Sequence, residues 1–292
     1  MNSISLRATG GALALACLLA AGGGAHAQAP AGTLEKIAGS GAITLGHRAD
    51  SVPFSFVDEK RQPSGYSVDL CKRVVASLQQ QLKLKDLKIR WVAVTAESRL
   101  SAVAKGEIDL ECGTTTVTLS RQNTVDFSSL IFVDGGGILV RSDHPAEKVT
   151  DFSSKKVAVT AGTTAEARLP EALKARKINA QVVVMKSEME ALAALESGKV
   201  DAYANDRVVL LGLALQGKDP SKLALLNADF SFEPYALVMR RNDPAFRLAV
   251  NRALARVYST DAIGEIYNRW FGKFGAPGDL LLAMYYLNAL PE

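Results

Sequence analysis

Histidine and cysteine are scarce in this chain, which contains three of each among 292 residues. The histidines are His26, His47 and His144, and none of them has the Cys, His or Asp neighbours whose spacing is typical of a metal site. The sequence also lacks a G-x-S-x-G nucleophile motif. We therefore predict no catalytic residue, no metal site and no cofactor.

An excess of charge of either sign is also lacking. Lysine and arginine total 34 and aspartate and glutamate total 30, a formal net charge of +4. Such a small and dispersed excess does not indicate nucleic-acid binding, and we predict no nucleic-acid partner. Hydrophobic residues make up 48% of the chain, which is enough for the core of one large or two smaller globular domains.

No long hydrophobic run follows residue 27, so no later segment reaches the roughly 18 to 20 apolar residues that span a bilayer. Residues 1–27 contain one charged residue, Arg7, then the apolar run Gly11–Ala21 and the A-x-A pattern Ala25-His26-Ala27. These features are typical of a secretory signal peptide that is cleaved after Ala27. We therefore predict an exported, soluble mature protein.

Two cysteines, Cys71 and Cys112, remain once the signal peptide is removed. An even pair in an oxidising compartment favours a disulfide. We predict that disulfide, with two separately buried thiols as the alternative.

Strand-like and helical segments alternate along the first half of the chain. They are predicted at strand Ala42–Gly46, a helix after Ser67, strand Ile89–Val94, helix Glu97–Lys105 and strand Ile108–Cys112. This alternation is typical of an α/β domain with a largely parallel sheet. Ligands of such sheets bind at the carboxyl ends of the strands, where Arg48, Arg99 and Thr114–Thr116 occur.

Three consecutive glycines, Gly135–Gly137, interrupt the strand-like run Ile131–Arg141, which is typical of a crossing segment or hinge. The α/β pattern restarts at Lys156, and Phe232–Arg240 resumes an apolar strand. We therefore predict two lobes joined by two crossing strands, with a cleft between them. Lobe 1 comprises residues 28–135 and 234–292, and lobe 2 comprises residues 136–233.

The segment Gly106–Arg121 carries the best candidate binding groups. Thr114–Thr116 offer hydroxyl and N–H groups at a predicted helix N-terminus, and Arg121 offers a planar set of donors, all of which suit a carboxylate. The alternative is a strand, turn and helix whose threonines only cap the helix. Asp206 is the candidate partner of an ammonium group, with an ordinary loop aspartate as the alternative.

Several stretches, in order, resemble the solute-binding proteins of ABC transporters for polar amino acids, and most closely the periplasmic glutamate/aspartate-binding proteins. They are GHRADSVPFSF (Gly46–Phe56), GYSVDL (Gly65–Leu70), ECGTTT (Glu111–Thr116), SRQNTVDFSSLIF (Ser120–Phe132), TAGTTAE (Thr160–Glu166), LESGKVDAYANDR (Leu195–Arg207) and MRRNDPAF (Met239–Phe246). The resemblance implies an α/β, two-lobed type II periplasmic binding protein, located in the periplasm.

The resemblance also implies a ligand-binding set in three groups. These are Arg121 with Thr116 and Thr164 for the α-carboxylate, Asp206 with Thr114 for the ammonium, and Arg48 with Arg99 for the side-chain carboxylate. Two positions depart from the family: Ala96 replaces a serine, and Glu188 replaces a histidine. Because Glu188 could pair with Arg48 or Arg99, the choice among glutamate, aspartate and an amide such as glutamine stays open.

The function implied by the resemblance is capture of an acidic amino acid by hinge closure and delivery to the membrane permease of an ABC importer. The protein is expected to act as a monomer. One alternative is an enzyme on the same scaffold that resembles cyclohexadienyl dehydratase, with Glu188 as its general acid. Another is the sensing domain of a receptor or of a cell-wall lytic enzyme.

Overall fold

The computed structural model describes residues 32–144, 146, 148–226 and 230–292. The predicted signal peptide, residues 1–27, lies outside the described residues. Across the described ranges, none of the helices combines the length and the apolar character that a membrane span requires.

The strands are β1 Ala42–His47, β2 Asp50–Ser51, β3 Ser55–Val57, β4 Pro63–Ser64, β5 Lys88–Ala93, β6 Leu110–Glu111, β7 Val125–Arg141, β8 Lys156–Thr160, β9 Gln181–Met185, β10 Ala202–Asp206, β11 Leu223–Leu226 and β12 Phe232–Arg240. The α-helices are α1 Thr33–Ser40, α2 Tyr66–Gln81, α3 Arg99–Ala104, α4 Thr164–Ala175, α5 Glu188–Glu196, α6 Arg207–Ala214, α7 Pro244–Tyr258, α8 Ala262–Phe271 and α9 Asp279–Asn288.

The main sheet has the strand order β5-β1-β6-β12-β7-β10-β8-β9, and β11 pairs with β7. Strand β1 runs parallel to β5 and β6, and β8 runs parallel to β9 and β10. Between these two parallel halves lies the antiparallel pair β7 and β12. The predicted α/β architecture with two crossing strands is therefore confirmed.

The glycines of the first crossing do not break its strand, because β7 continues through them to Arg141. Gly136 and Gly137 pair with Asp206 and Asn205 of β10. A Cβ at Gly137 would lie 2.7 Å from Arg207 Cγ, so the missing side chains let neighbouring segments lie directly on the strand.

Five aromatic side chains pack together where the crossing strands meet α2 and α8. Phe132 of β7 and Tyr235 of β12 are register partners, and Phe54 contacts both rings, at centroid distances of 4.9 and 5.3 Å. Tyr66 and Phe271 complete the cluster. Edge-to-face contacts stabilise such rings beyond the contribution of their buried area. The cluster therefore holds β7 and β12 against α2 and α8.

Helix α2 presents an apolar stripe to this core. Leu70, Val74 and Leu78, spaced by four residues, are fully buried, and each contributes about 1.5 to 3 kcal/mol to the hydrophobic stabilisation. The same helix carries Cys71, whose Sγ forms a disulfide with Cys112 just after β6. The disulfide predicted from cysteine usage is therefore confirmed.

The helix predicted after Thr114–Thr116 is wrong. A loop takes its place, followed by the short 3-10 helix Arg121–Asn123. The reason is a long-range pairing: Thr116 forms a β-bridge with Tyr235, and the N–H of Val117 donates to the carbonyl of Pro234 at 2.8 Å. Backbone groups of this segment that would form hydrogen bonds within a helix therefore bond to β12 instead.

Candidate functional site

The predicted ligand-binding residues all lie at the carboxyl ends of strands or in the segments that follow them. Arg48 follows β1, Arg99 begins α3 after β5, Thr114, Thr116 and Arg121 follow β6, Thr164 begins α4 after β8, Glu188 begins α5 after β9, and Asp206 ends β10. The two parallel halves of the sheet therefore contribute to one cleft, defined here as the region enclosed by these side chains.

Arg121 links the two halves across the cleft. Its Nη1 donates to the carbonyl of Thr116 at 2.8 Å, and its Nη2 donates to the carbonyl of Gly162 at 3.2 Å, in the turn between β8 and α4. Burial lowers the pKa of Arg121, and the nearby carboxylates of Glu233 and Asp206 oppose that shift. Because an arginine stays protonated in proteins, Arg121 supplies a fixed positive charge.

Arg99 is held by three acceptors. Its Nε donates to Thr115 Oγ1 at 2.6 Å, Nη1 donates to the carbonyl of Ala96, and Nη2 donates to the carbonyl of Gly162 at 3.4 Å. Ala96 therefore contributes its backbone carbonyl to the position of Arg99. Burial, together with the nearby charge of Arg121, lowers the pKa of Arg99 to about 9, which leaves it charged at neutral pH.

A buried acidic residue, Glu111, lies near Arg48 and Arg99, the two arginines predicted to bind the side-chain carboxylate of the ligand. Thr115 Oγ1 donates to Glu111 Oε2 at 2.9 Å and accepts from Arg99. Burial raises the pKa of Glu111, and the charge of Arg99 opposes the rise. A Cβ at Gly113 would lie 2.1 Å from Glu111 Oε1 and 3.1 Å from Arg48 Cγ, so a larger residue at this position would displace the Glu111 carboxyl group.

Asp206 is buried at the end of β10. Tyr235 Oη donates to its Oδ2, whereas Oδ1 has no hydrogen-bond partner within the described part of the chain. Burial raises the pKa of Asp206 well above its ordinary value, and the charges of Glu233 and Asp134 add to the rise. A carboxylate in this position is costly unless a cation pairs with it.

Glu233 joins the two halves of the site, and the sequence reasoning missed it. Its Oε2 accepts from Thr116 Oγ1 at 2.5 Å and from Thr164 Oγ1 at 2.7 Å, and its Oε1 accepts from Ser231 Oγ at 2.6 Å. The available signal was an isolated charged residue inside the apolar strand predicted at Phe232–Arg240.

The hydrogen bonds to Glu233 use the hydroxyl protons of Thr116 and Thr164, so these hydroxyl groups cannot donate to a ligand. Thr116 and Thr164 each donate their one hydroxyl proton to Glu233, so their hydroxyl oxygens are left with acceptor capacity. A ligand carboxylate beside Arg121 would therefore accept hydrogen bonds from Arg121 and from backbone N–H groups. The hydroxyl groups of Thr116 and Thr164 would not act as its donors.

Glu188 reaches across the cleft to the segment after β1. Its Oε1 accepts from Arg48 Nη2 at 3.1 Å and from Ser51 Oγ at 2.9 Å, and its backbone N–H donates to Asp50 Oδ2 at 3.0 Å. Of the two arginines considered as its partner, the structure pairs Glu188 with Arg48. Both side chains of this ion pair are at most 3% exposed.

A family model of bacterial extracellular solute-binding proteins, family 3, matches residues 43–273. The chain is 38% identical over 242 residues to the L-glutamate/L-aspartate-binding protein of Pseudomonas aeruginosa, covering 82% of this chain and 80% of that one. It is 32% identical over 260 residues to the glutamate/aspartate import solute-binding protein of Escherichia coli strain K12, covering 89% and 86%.

Among solved structures, an ancestral amino acid-binding protein that is a precursor of cyclohexadienyl dehydratase matches with a TM-score of 0.71 at 29% identity, covering 82% of this chain and 99% of that one. The fold is therefore that of the type II periplasmic amino-acid-binding proteins. Since the family model spans most of the chain and the relatives are similar along most of their own length, this protein belongs to family 3 of the bacterial extracellular solute-binding proteins.

Proposed function

We propose that this protein captures glutamate or aspartate outside the cytoplasm by hinge closure and delivers it to the membrane permease of an ABC importer. The observation that carries the proposal is that one cleft contains both the fixed positive charge of Arg121 and the buried carboxyl group of Asp206, whose charge acts on the pKa of Arg121. An α-amino acid supplies the opposite charge to each of them, and it removes the cost of leaving either unpaired.

The roles follow from charge and position. Arg121 binds the α-carboxylate together with backbone N–H groups near Thr116 and Thr164. Asp206 and Thr114 bind the ammonium. Arg48 and Arg99, at the side-chain end, bind the second carboxylate. These roles agree with the ligands named for the relatives of Pseudomonas aeruginosa and Escherichia coli.

Hinge closure requires two lobes, with the boundaries proposed as 28–135 with 234–292, and 136–233. The two halves touch closely: a Cβ at Gly162 would lie 2.5 Å from Glu97 Cα. A ligand that contacts both lobes stabilises this arrangement over an open one by its differential affinity for the two. The protein would act as a monomer in the periplasm, after removal of its signal peptide.

An enzymatic role is not part of the proposal, although one structural relative is the precursor of a dehydratase. A cyclic carboxylic acid without an ammonium group would leave the buried carboxylate of Asp206 unpaired. An α-amino acid satisfies both Asp206 and Arg121, and binding alone explains both charges.

Isothermal titration calorimetry tests the proposal. The mature protein is unfolded and refolded to remove carried-over ligand, then titrated at neutral pH with glutamate, aspartate, glutamine and asparagine. We expect tight binding of the acidic pair. Glutarate, which lacks the ammonium, and 4-aminobutyrate, which lacks the α-carboxylate, should each fail to bind. Absence of binding by glutamate and aspartate would refute the assignment.

Gly212→Ala is expected to weaken binding by opposing closure. Gly212 lies in α6, where a Cβ would be 2.2 Å from the carbonyl oxygen of Val52 on the other side of the cleft. Overpacking of this kind costs about 1 to 3 kcal/mol, or roughly 5- to 150-fold in affinity. Small-angle scattering at a ligand concentration that just saturates the wild type should show a larger radius of gyration for the variant than for the wild type.

The matched control for this variant is Gly264→Ala. Gly264 is also helical, in α8, but among the described residues no atom beyond the adjacent residues and the backbone of the same helix lies within 4 Å of the point that a Cβ would occupy there. Alanine at this position should raise stability by about 0.5 to 1 kcal/mol without changing affinity. Wild-type affinity in Gly212→Ala would show that closure does not require this contact.

A further inference from the structure

The side-chain end of the cleft contains more acidic groups than arginines before any ligand is considered. Two arginines, Arg48 and Arg99, lie near three acidic side chains, those of Glu111, Glu188 and Asp50. All but Asp50 are almost completely buried. An acidic ligand side chain would add a fourth acidic group to this low-dielectric region, where the repulsion of like charges is costly.

Two polar atoms of the Arg48–Glu188 pair have no hydrogen-bond partner among the residues that the structure describes. They are Arg48 Nε and Glu188 Oε2. The first is a donor that an incoming carboxylate can use. The second is an oxygen that can carry a proton and donate it to that same carboxylate.

We propose that Glu188 takes up one proton from solvent when an acidic amino acid binds, so that the carboxyl group of Glu188 and the ligand carboxylate share that proton beside Arg48. This inference rests on the proposed function, because it requires an acidic ligand in the cleft. The only covalent change is protonation of Glu188 Oε2, and it removes one negative charge as the ligand brings one.

Several charged and titratable groups face Glu188. From the segment after β1 these are Arg48, which favours the ionised form, and Asp50, which opposes it. From β10 they are Tyr203 and Asp206, and both have a raised pKa to which the charge of Glu188 contributes.

Arg99, at the start of α3, also lies close enough for its pKa to respond to Glu188. The net result is set mainly by burial, which raises the pKa of Glu188. A raised pKa makes uptake of a proton at neutral pH easier, and an adjacent ligand carboxylate raises it further.

The consequence is a pH dependence with a defined sign. Between the pKa of Glu188 in the free protein and its higher pKa in the complex, each acidic ligand takes up a proton on binding, so its affinity rises as pH falls, by up to about tenfold per pH unit. Once pH falls below the pKa in the free protein, Glu188 is already protonated and this dependence disappears.

Calorimetry in buffers of different ionisation enthalpy measures the number of protons taken up. Titrations at pH 7.5 in phosphate and in Tris compare glutamate with glutamine, because any proton change at Asp206 accompanies both ligands and cancels in the difference. We expect glutamate to take up about one proton more than glutamine in the wild type. In Glu188→Gln this difference should vanish, and the pH dependence of glutamate affinity should become the same as that of glutamine affinity.

Glu190→Gln is the matched control, since Glu190 is an exposed residue on the same helix. It should keep the wild-type proton difference. Tight glutamate binding with no extra proton in the wild type would overturn this inference and leave the proposed function intact. Binding of glutamine with no binding of glutamate at any pH would overturn both.

Discussion

Replacing Asp206 with asparagine is expected to weaken glutamate binding by at least about 30-fold, because removing one member of a buried charge pair costs about 2 to 5 kcal/mol. Asparagine keeps the shape of the side chain and can still accept from Tyr235 Oη, so the change isolates the negative charge. Isothermal titration with glutamate gives the affinity. An affinity within a few-fold of the wild type would make Asp206 an ordinary structural aspartate.

The same variant should be more stable than the wild type without ligand. The pKa of Asp206 is raised well above its ordinary value by burial, so the folded state binds a proton more tightly than the unfolded chain does. Wild-type stability therefore falls as pH rises from about 4 towards the folded-state pKa. Asparagine never ionises, so its stability advantage should grow over that pH range.

Thermal unfolding of the ligand-free proteins between pH 4 and 8 measures that advantage. Asp143→Asn is the control, because the Asp143 side chain is 84% exposed. It should change neither affinity nor the pH dependence of stability. A stability difference that stays constant with pH would mean that ionisation of Asp206 does not destabilise the ligand-free protein.

Local sequence patterns predict much of the fold. The four-residue spacing of Leu70, Val74 and Leu78 identifies the buried face of α2, and Gly135–Gly137 mark the first crossing. Such patterns fail where a distant segment competes for the backbone. The helix expected after Thr114–Thr116 is absent because β12, more than a hundred residues later, pairs with this loop.

The candidate site divides in the same way. Strand-end positions and the family resemblance bring Arg48, Glu188 and Asp206 forward as candidates. The pairing of Glu188 with Arg48 depends on how the two halves approach each other, and no local pattern contains that distance. The role of Glu233 could not be predicted from the sequence, because it depends on hydrogen bonds from Thr116 and Thr164. These two residues lie on different halves of the fold.

Removing the disulfide by Cys71→Ala with Cys112→Ala is expected to lower the free energy of unfolding by about 4 kcal/mol. The cysteines are 41 residues apart, and a cross-link closing a loop of that length restricts the unfolded chain by about this amount in the chain-entropy model. In a protein of this size the melting temperature should fall by roughly 8 °C or more. Thermal unfolding with and without a reducing agent provides the measurement.

Reduction of the wild type should bring its melting temperature down to that of the double variant, on which the reductant has no effect. Equal melting temperatures for the oxidised wild type and the variant would contradict the prediction. The disulfide can act on the unfolded chain or on the conformation of the folded protein. The affinity for glutamate distinguishes these two possibilities.

Cys112 immediately precedes the Gly113–Thr116 loop of the cleft, so the disulfide could hold that loop in its binding conformation. Two other bonds already do so: the N–H of Cys112 donates to the carbonyl of Gly46 at 2.9 Å, and Ser67 Oγ donates to the carbonyl of Gly113 at 2.8 Å. We therefore expect affinity at 25 °C to change by less than about threefold, since the cross-link acts mainly on the unfolded chain. A parallel loss of affinity would instead assign the disulfide to the conformation of the loop.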